Sequence, residues 1–207
     1  VPPPRRGTLN DVASEPMFSL PLRRLTVLLL ASENVAPAWL TVAAVELIVS
    51  ELTVVLRELA GAVRHIQEDL DITHRDLKPE NVLVRTRQPL DLVLTDFGVA
   101  AEQMMTVQFQ TRAGTNSWMA PETLAEQQVT KAVDWWALGA IMYRALTGRM
   151  LLSSPAGRAQ ESKVHDALVV RGEYTTDAIQ DPRWRNLVDG LLSYDTADRW
   201  GYAQVES

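Results

Sequence analysis

The chain is 207 residues long, enough for one domain with a substantial core, and its 46% hydrophobic and 22% charged residues are an ordinary globular mixture. A net charge of −6 without any basic stripe argues against a nucleic-acid-binding module. With no cysteine there are no disulfides, no thiolate metal sites and no cysteine nucleophile, which fits a reducing compartment.

Val1 to Pro4 is proline-rich, and neither starts a helix nor pairs inside a sheet. No basic-then-apolar leader follows. Thr8 to Ser14 is a short helix candidate with Thr8 or Asn10 as its cap. Pro16, Pro21 and Pro37 keep the next stretch irregular apart from Leu25 to Ala31. Val35 to Val49, the most apolar run, is too short to span a bilayer and carries Glu46. A buried helix is expected there, in a soluble, cytoplasmic or nuclear protein without a membrane partner. The pattern then turns helical from Ala38 to Leu70. Leu52, Val55, Leu56, Leu59, Val63 and Ile66 share one face, opposite Arg57, Glu58, Arg64 and Glu68, with Gly61 as a slight interruption. Two β-type runs follow, Asn81 to Arg85 and Asp91 to Thr95, joined by a turn through Gln88 and Pro89. A polar segment leads to Met119. Helices are then expected over Glu122 to Glu126, Val133 to Leu146, Val164 to Val170 and Trp184 to Leu192, with another starting at Tyr202. There is no internal repeat, and the order describes an α-rich fold with very little sheet.

The chemistry concentrates in His74 to Asn81, which reads HRDLKPEN. Asp96, Phe97 and Gly98 come directly behind the second apolar strand. Ala120, Pro121 and Glu122 follow, and then Asp134 to Gly139, DWWALG. Singly, an aspartate in a loop is a cap or turn residue, and a lysine usually solvates a surface. Their order and spacing change that reading. From about residue 50 to 205 the set resembles the eukaryotic-type serine/threonine protein kinase family. The resemblance implies a mainly α fold of the α+β kinase type, the large lobe with a small β-hairpin.

It also implies roles. Phosphoryl transfer asks a protein mostly for positioning and charge neutralisation. Asp76 is expected to take the substrate hydroxyl's proton, and Lys78 to hold the transferring γ-phosphate. Asn81 and Asp96 are the expected Mg²⁺ ligands, since hard cations prefer such oxygens. Leu83 is the expected contact for adenine, so ATP and Mg²⁺ are the implied cofactors. The partner is a protein substrate docked on Gly114 to Glu122, and Lys78 with Thr115 points to serine/threonine specificity. Thr115 is expected near Asp76, and Thr106 or Thr111 as the phosphorylated residue of the activation segment. Arg75 either holds that phosphate or pairs with a local carboxylate. Glu122 is expected to pair with Arg199. Asp134 is expected to satisfy N–H groups at its own helix start and, by resemblance, to brace the catalytic loop. His74 and Phe97 read as packing, and Trp135, Trp136, Leu138, Ile141 and Met142 as core. His65 and His165 lack metal-ligand partners and read as solvent-facing or core.

Departures from the family pattern are equally clear. Residues 1–77 hold only Gly7 and Gly61 and no lysine, so the glycine-rich phosphate loop and the strand lysine are missing from them. Arg5 to Leu9 resembles the segment just past the hinge. The expectation is a partial kinase domain over 1–207, its small N-terminal lobe absent, with 11–50 as an atypical insertion. Such a chain alone should bind ATP weakly. The alternative is a non-catalytic, pseudokinase-like interaction scaffold. The missing lobe favours that alternative, while intact Asp76, Lys78, Asn81 and Asp96 favour the enzyme. Trp118 stands where tyrosine is common, and Thr196 follows Asp195 where proline is common.

Overall fold

A computed structural model describes residues 42–87, 89–98, 117–151 and 162–207, with side chains described over 51–86, 89–98, 117–151 and 166–207. The helix expected at Thr8 to Ser14, the run Leu25 to Ala31, and Thr106, Thr111 and Thr115 lie outside the described residues. So does the expected insertion up to residue 41. The side chain of His165 is likewise outside them.

Helix α1, Val42–Arg64, is long because its apolar residues recur every three or four positions. Leu52, Val55, Leu56, Leu59 and Val63 are all buried, whereas Arg57 faces solvent. Gly61 does not interrupt the helix; a methyl group there would meet nothing within 4 Å. The helix expected to reach Leu70 instead gives way, after Arg64, to a wider i→i+5 turn over His65–Asp69. That turn buries Ile66 and Gln67 and closes with Ile72 N–H donating to the Ile66 carbonyl at 2.7 Å. On its outer side His65 and Asp69, both exposed, lie 2.6 Å apart.

A single 3₁₀ turn, Pro79–Asn81, leads into β1, Val82–Arg87, which pairs antiparallel with β2, Leu90–Leu94. Val82 faces Leu94 and Val84 faces Leu92; a bulge between Val84 and Thr86 then shifts the register. The first strand begins one residue later than the sequence suggests because Asn81 completes the turn before it. Val82, Leu92 and Leu94 are buried, and β2 packs on α1. Among the described residues this hairpin is the only sheet.

The remaining elements are helices. They are α2, Pro121–Leu124; α3, Ala132–Thr147; α4, Ser162–Val170; α5, Pro182–Leu191; and α6, Tyr202–Glu206. Helix α3 has no polar face, which marks an interior helix. Trp136, Leu138, Ile141 and Met142 are at most 1% exposed. Burying each such side chain contributes about 1.5–3 kcal/mol. Gly148, at φ 71°, ends α3 and donates its N–H to the Arg144 carbonyl at 2.8 Å. Helix α5 starts on Asp181, whose carboxylate accepts the Arg183 N–H at 2.8 Å, and it packs on α3 beside Gly139. The hydrogen bonds from Arg183 hold the Asp181 carboxyl down at about 2. Among the described residues no helix is long and apolar enough to cross a membrane.

Candidate active site

The loop between the wide turn and Pro79 carries the chemistry, and its shape is set from below. Arg75 has φ 67°, a left-handed conformation that costs a non-glycine residue energy unless its surroundings hold it. The Asp134 carboxylate supplies that hold. Its Oδ1 accepts the Arg75 N–H at 2.8 Å, and its Oδ2 accepts the His74 N–H at 2.9 Å. Asp134 therefore braces the loop as the resemblance implied. Its carboxylate is turned away from the N–H groups of its own helix start, contrary to the capping expectation. Burial pushes the Asp134 carboxyl up, and the hydrogen bonds from Arg75, His74 and Gln67 pull the other way.

Immediately after this anchor, Asp76, Lys78 and Asn81 meet. Lys78 Nζ lies 2.7 Å from Asp76 Oδ2. Asn81 Nδ2 donates to the Asp76 carbonyl at 2.8 Å and to Asp76 Oδ2 at 3.1 Å. Both amide hydrogens of Asn81 are thus used on Asp76, and among the described residues no donor reaches its Oδ1. The Asn81 carbonyl in turn accepts the Thr95 N–H at 2.9 Å and the Thr95 hydroxyl at 3.2 Å. Asp96 is the next residue after this tie. It too is left-handed, at φ 62°, and its side chain is exposed. Gly98 N–H points to Asp96 Oδ1 at 3.4 Å, and a methyl group on Gly98 would sit 3.2 Å from that oxygen.

His74 ties the two loops together. It is fully buried, its Nε2–H donates to the Thr95 carbonyl at 3.0 Å, and its ring lies 4.8 Å from that of Phe97. Phe97 packs on His74 as expected, yet 37% of it remains exposed, so it is only partly core. Leu83 is half-buried in β1 opposite Val93, on the face away from buried Val82. Arg75 makes no ion pair among the described residues; its Nε is buried without a partner there. Burial lowers the Arg75 guanidinium, with the Asp134 charge opposing. Below the site, Arg199 meets Glu122 at 2.6 and 3.0 Å as expected.

One residue of this assembly was not singled out by sequence. Gln67 donates Nε2–H to Asp134 Oδ2 at 2.9 Å and to the Lys131 carbonyl at 2.8 Å, and accepts the Trp135 indole N–H at 3.0 Å. The available signal was a polar side chain four residues after Val63, in line with the apolar face of the helix expected from Ala38 to Leu70.

The model of the protein kinase domain matches residues 29–207 of this chain. The chain belongs to the protein kinase family. Over 157 residues it is 35% identical to MAP kinase-activated protein kinase 2 of Drosophila melanogaster, covering 72% of this chain and 42% of that protein. It is 38% identical over 144 residues to serine/threonine-protein kinase AtPK1/AtPK6 of Arabidopsis thaliana, covering 70% of this chain and 29% of that protein. It is 33% identical over 162 residues to human ribosomal protein S6 kinase alpha-4, covering 72% of this chain and 21% of that protein. The kinase chain thus spans less than half the length of these relatives.

Kinases of this family use ATP and Mg²⁺, and the donor set here fits the ion. Mg²⁺ takes one or two protein oxygens and keeps its other positions for water and phosphate. Asp96 offers one exposed carboxylate and Asn81 one undonated amide oxygen, while no cluster of three or more carboxylates or histidines occurs among the described residues.

Proposed function

We propose that this chain is the catalytic large lobe of a protein serine/threonine kinase, and that the phosphate acceptor is a serine or threonine hydroxyl of a protein. The observation that carries this reading is the hydrogen-bonded unit of Asp76, Lys78 and Asn81, with Asp96 directly following Thr95, which bonds Asn81. ATP with Mg²⁺ supplies the γ-phosphate and neutralises its charge. Asp76 accepts a hydrogen bond from the substrate hydroxyl, aligns it and takes its proton. Lys78 places a positive charge on the side of Asp76 where the phosphate arrives. Asn81 and Asp96 hold the cation, and Leu83 offers an apolar wall to the adenine. Half-buried Arg75, its Nε without a partner among the described residues, suits the phosphate of a modified Thr106 or Thr111. Positioning accounts for most of the rate in such a reaction, and a loop fixed by a buried carboxylate provides it.

The domain reading remains one partial kinase domain over 1–207 with 11–50 as an insertion. The test is transfer of labelled phosphate from ATP to a generic serine/threonine substrate by the full-length protein. Mg²⁺-dependent transfer that Asp76→Asn abolishes supports the proposal. Transfer indifferent to that substitution, or none at all, overturns it.

A further inference from the structure

The polar contacts under the loop do not end at Asp134. Gln67 is 5% exposed, and every hydrogen-bonding atom of its side chain has a partner. Its backbone carbonyl accepts Lys131 Nζ at 2.5 Å, and that ammonium also reaches Asp71 Oδ1. The wide turn and the start of α3 are therefore joined in both directions. Turns of this wide type, placed within or at the ends of α-helices, concentrate at functional sites. The amide has one workable orientation. Flipped, its oxygen would face the Asp134 carboxylate, and its N–H₂ would face the Trp135 N–H.

Resting on the kinase reading above, we propose that Gln67 is a positioning residue for phosphoryl transfer. Its amide orients the Asp134 carboxylate, and Asp134 in turn fixes the left-handed backbone from which Asp76 projects. Asp134 Oδ2 is shared by Gln67 Nε2–H and the His74 N–H, both at 2.9 Å. Without Gln67 the buried carboxylate keeps only the two loop N–H groups it is there to fix, and nothing outside the loop sets its orientation. Arg75 then loses the contact that sustains φ 67°, and Asp76 loses its aim.

Two substitutions in the full-length protein test this. Gln67→Leu keeps the bulk and removes both donors. Its kcat should fall roughly 10- to 100-fold, the scale of one hydrogen bond to a charged group. KM for ATP should stay within about twofold, because nucleotide binding does not use the contact. Amide exchange over residues 72–76 should accelerate while α3 stays protected. Gln67→Glu keeps the acceptor for Trp135 but can donate to Asp134 only when protonated. The charged and titratable groups around that pair are His74, Arg75 and Lys131, with Asp71 beyond the lysine. Its kcat relative to the unsubstituted protein should therefore recover as pH falls from about 8 to about 6.

Wild-type kcat in Gln67→Leu overturns the proposal even if exchange accelerates, and so does a Gln67→Glu deficit that is flat with pH. If Gln67→Leu fails to fold, the pH profile of Gln67→Glu decides alone. If the unsubstituted protein transfers no phosphate, the kinase reading has failed by itself. Exchange at 72–76 then decides whether Gln67 orders the loop: acceleration supports that, and unchanged exchange overturns it.

Discussion

Arg199 closes a two-pronged ion pair on Glu122, with both side chains buried and the two residues 77 positions apart in the chain. The same guanidinium donates to the carbonyls of Ser193, Tyr194 and Ala132, and it lies 5.1 Å from the Trp136 ring. The contact ties the short α2 to the start of α3 and to the loop before α6. Removing one partner leaves the other charge buried and unpaired. Arg199→Met should therefore destabilise the protein by about 3–5 kcal/mol. Denaturant unfolding measures it, and a loss under about 1 kcal/mol would show that the pair is solvated.

Gly190 lies under the indole of Trp200. A methyl group at that position would stand 2.2 Å from the ring, and the Trp200 backbone N–H donates to the Gly190 carbonyl at 2.9 Å. That bond holds the Trp200 backbone against Gly190, so the ring can clear a methyl group only by turning about its own side-chain bonds. Gly190→Ala should cost about 1–3 kcal/mol through overpacking, although alanine favours helices. A variant as stable as the wild type in thermal unfolding would refute the close approach.

Much of this was legible in the residues. The face of α1 from Leu52 to Val63 follows from spacing alone, as does the interior character of α3. Asp76, Lys78, Asn81 and Asp96 stood out through their order, and three of the four are joined by side-chain hydrogen bonds. What periodicity could not convey was the break after Arg64. Apolar spacing continues through Ile66, so nothing local announces a wider turn; its cause is a tertiary contact, the seat for Gln67 against Asp134 and Trp135. Similarly, an aspartate near a helix start reads as a cap. Only the fold brings His74 and Arg75 close enough to claim its oxygens. Phe97 reads as core from its type, but how much of it is covered depends on neighbours distant in sequence.

Asp134 makes stability depend on pH in an unusual direction. Burial raises its carboxyl above the ordinary 3.8, so the native state binds that proton more tightly than the unfolded chain. Its contribution favours folding below 3.8 and is lost as pH rises through the raised native value. Asp134→Asn removes this dependence together with one acceptor for the loop. The variant should be less stable at low pH, and the gap should narrow as pH rises from about 4 to about 8. Paired urea titrations across that range measure it. A gap that widens with pH would contradict the sign.

Lys78 and Asp76 should act on the reaction as a unit, because Nζ and Oδ2 are 2.7 Å apart and Asn81 bonds the same oxygen. On the kinase reading, Asp76→Asn removes the proton acceptor, and kcat should fall roughly 10²- to 10⁴-fold, the usual worth of a general base. Lys78→Met should lower kcat as well, with KM for ATP changing little, since its charge matters most as the phosphate moves. The double variant is the informative one. Two independent residues would multiply their losses, whereas two in direct contact share part of one effect. The Asp76→Asn, Lys78→Met protein should therefore be less impaired than the product of the single losses, by at least about threefold. Steady-state kinetics of the four proteins closes the cycle. Strict multiplication would mean that the contact between Lys78 and Asp76 has no part in catalysis.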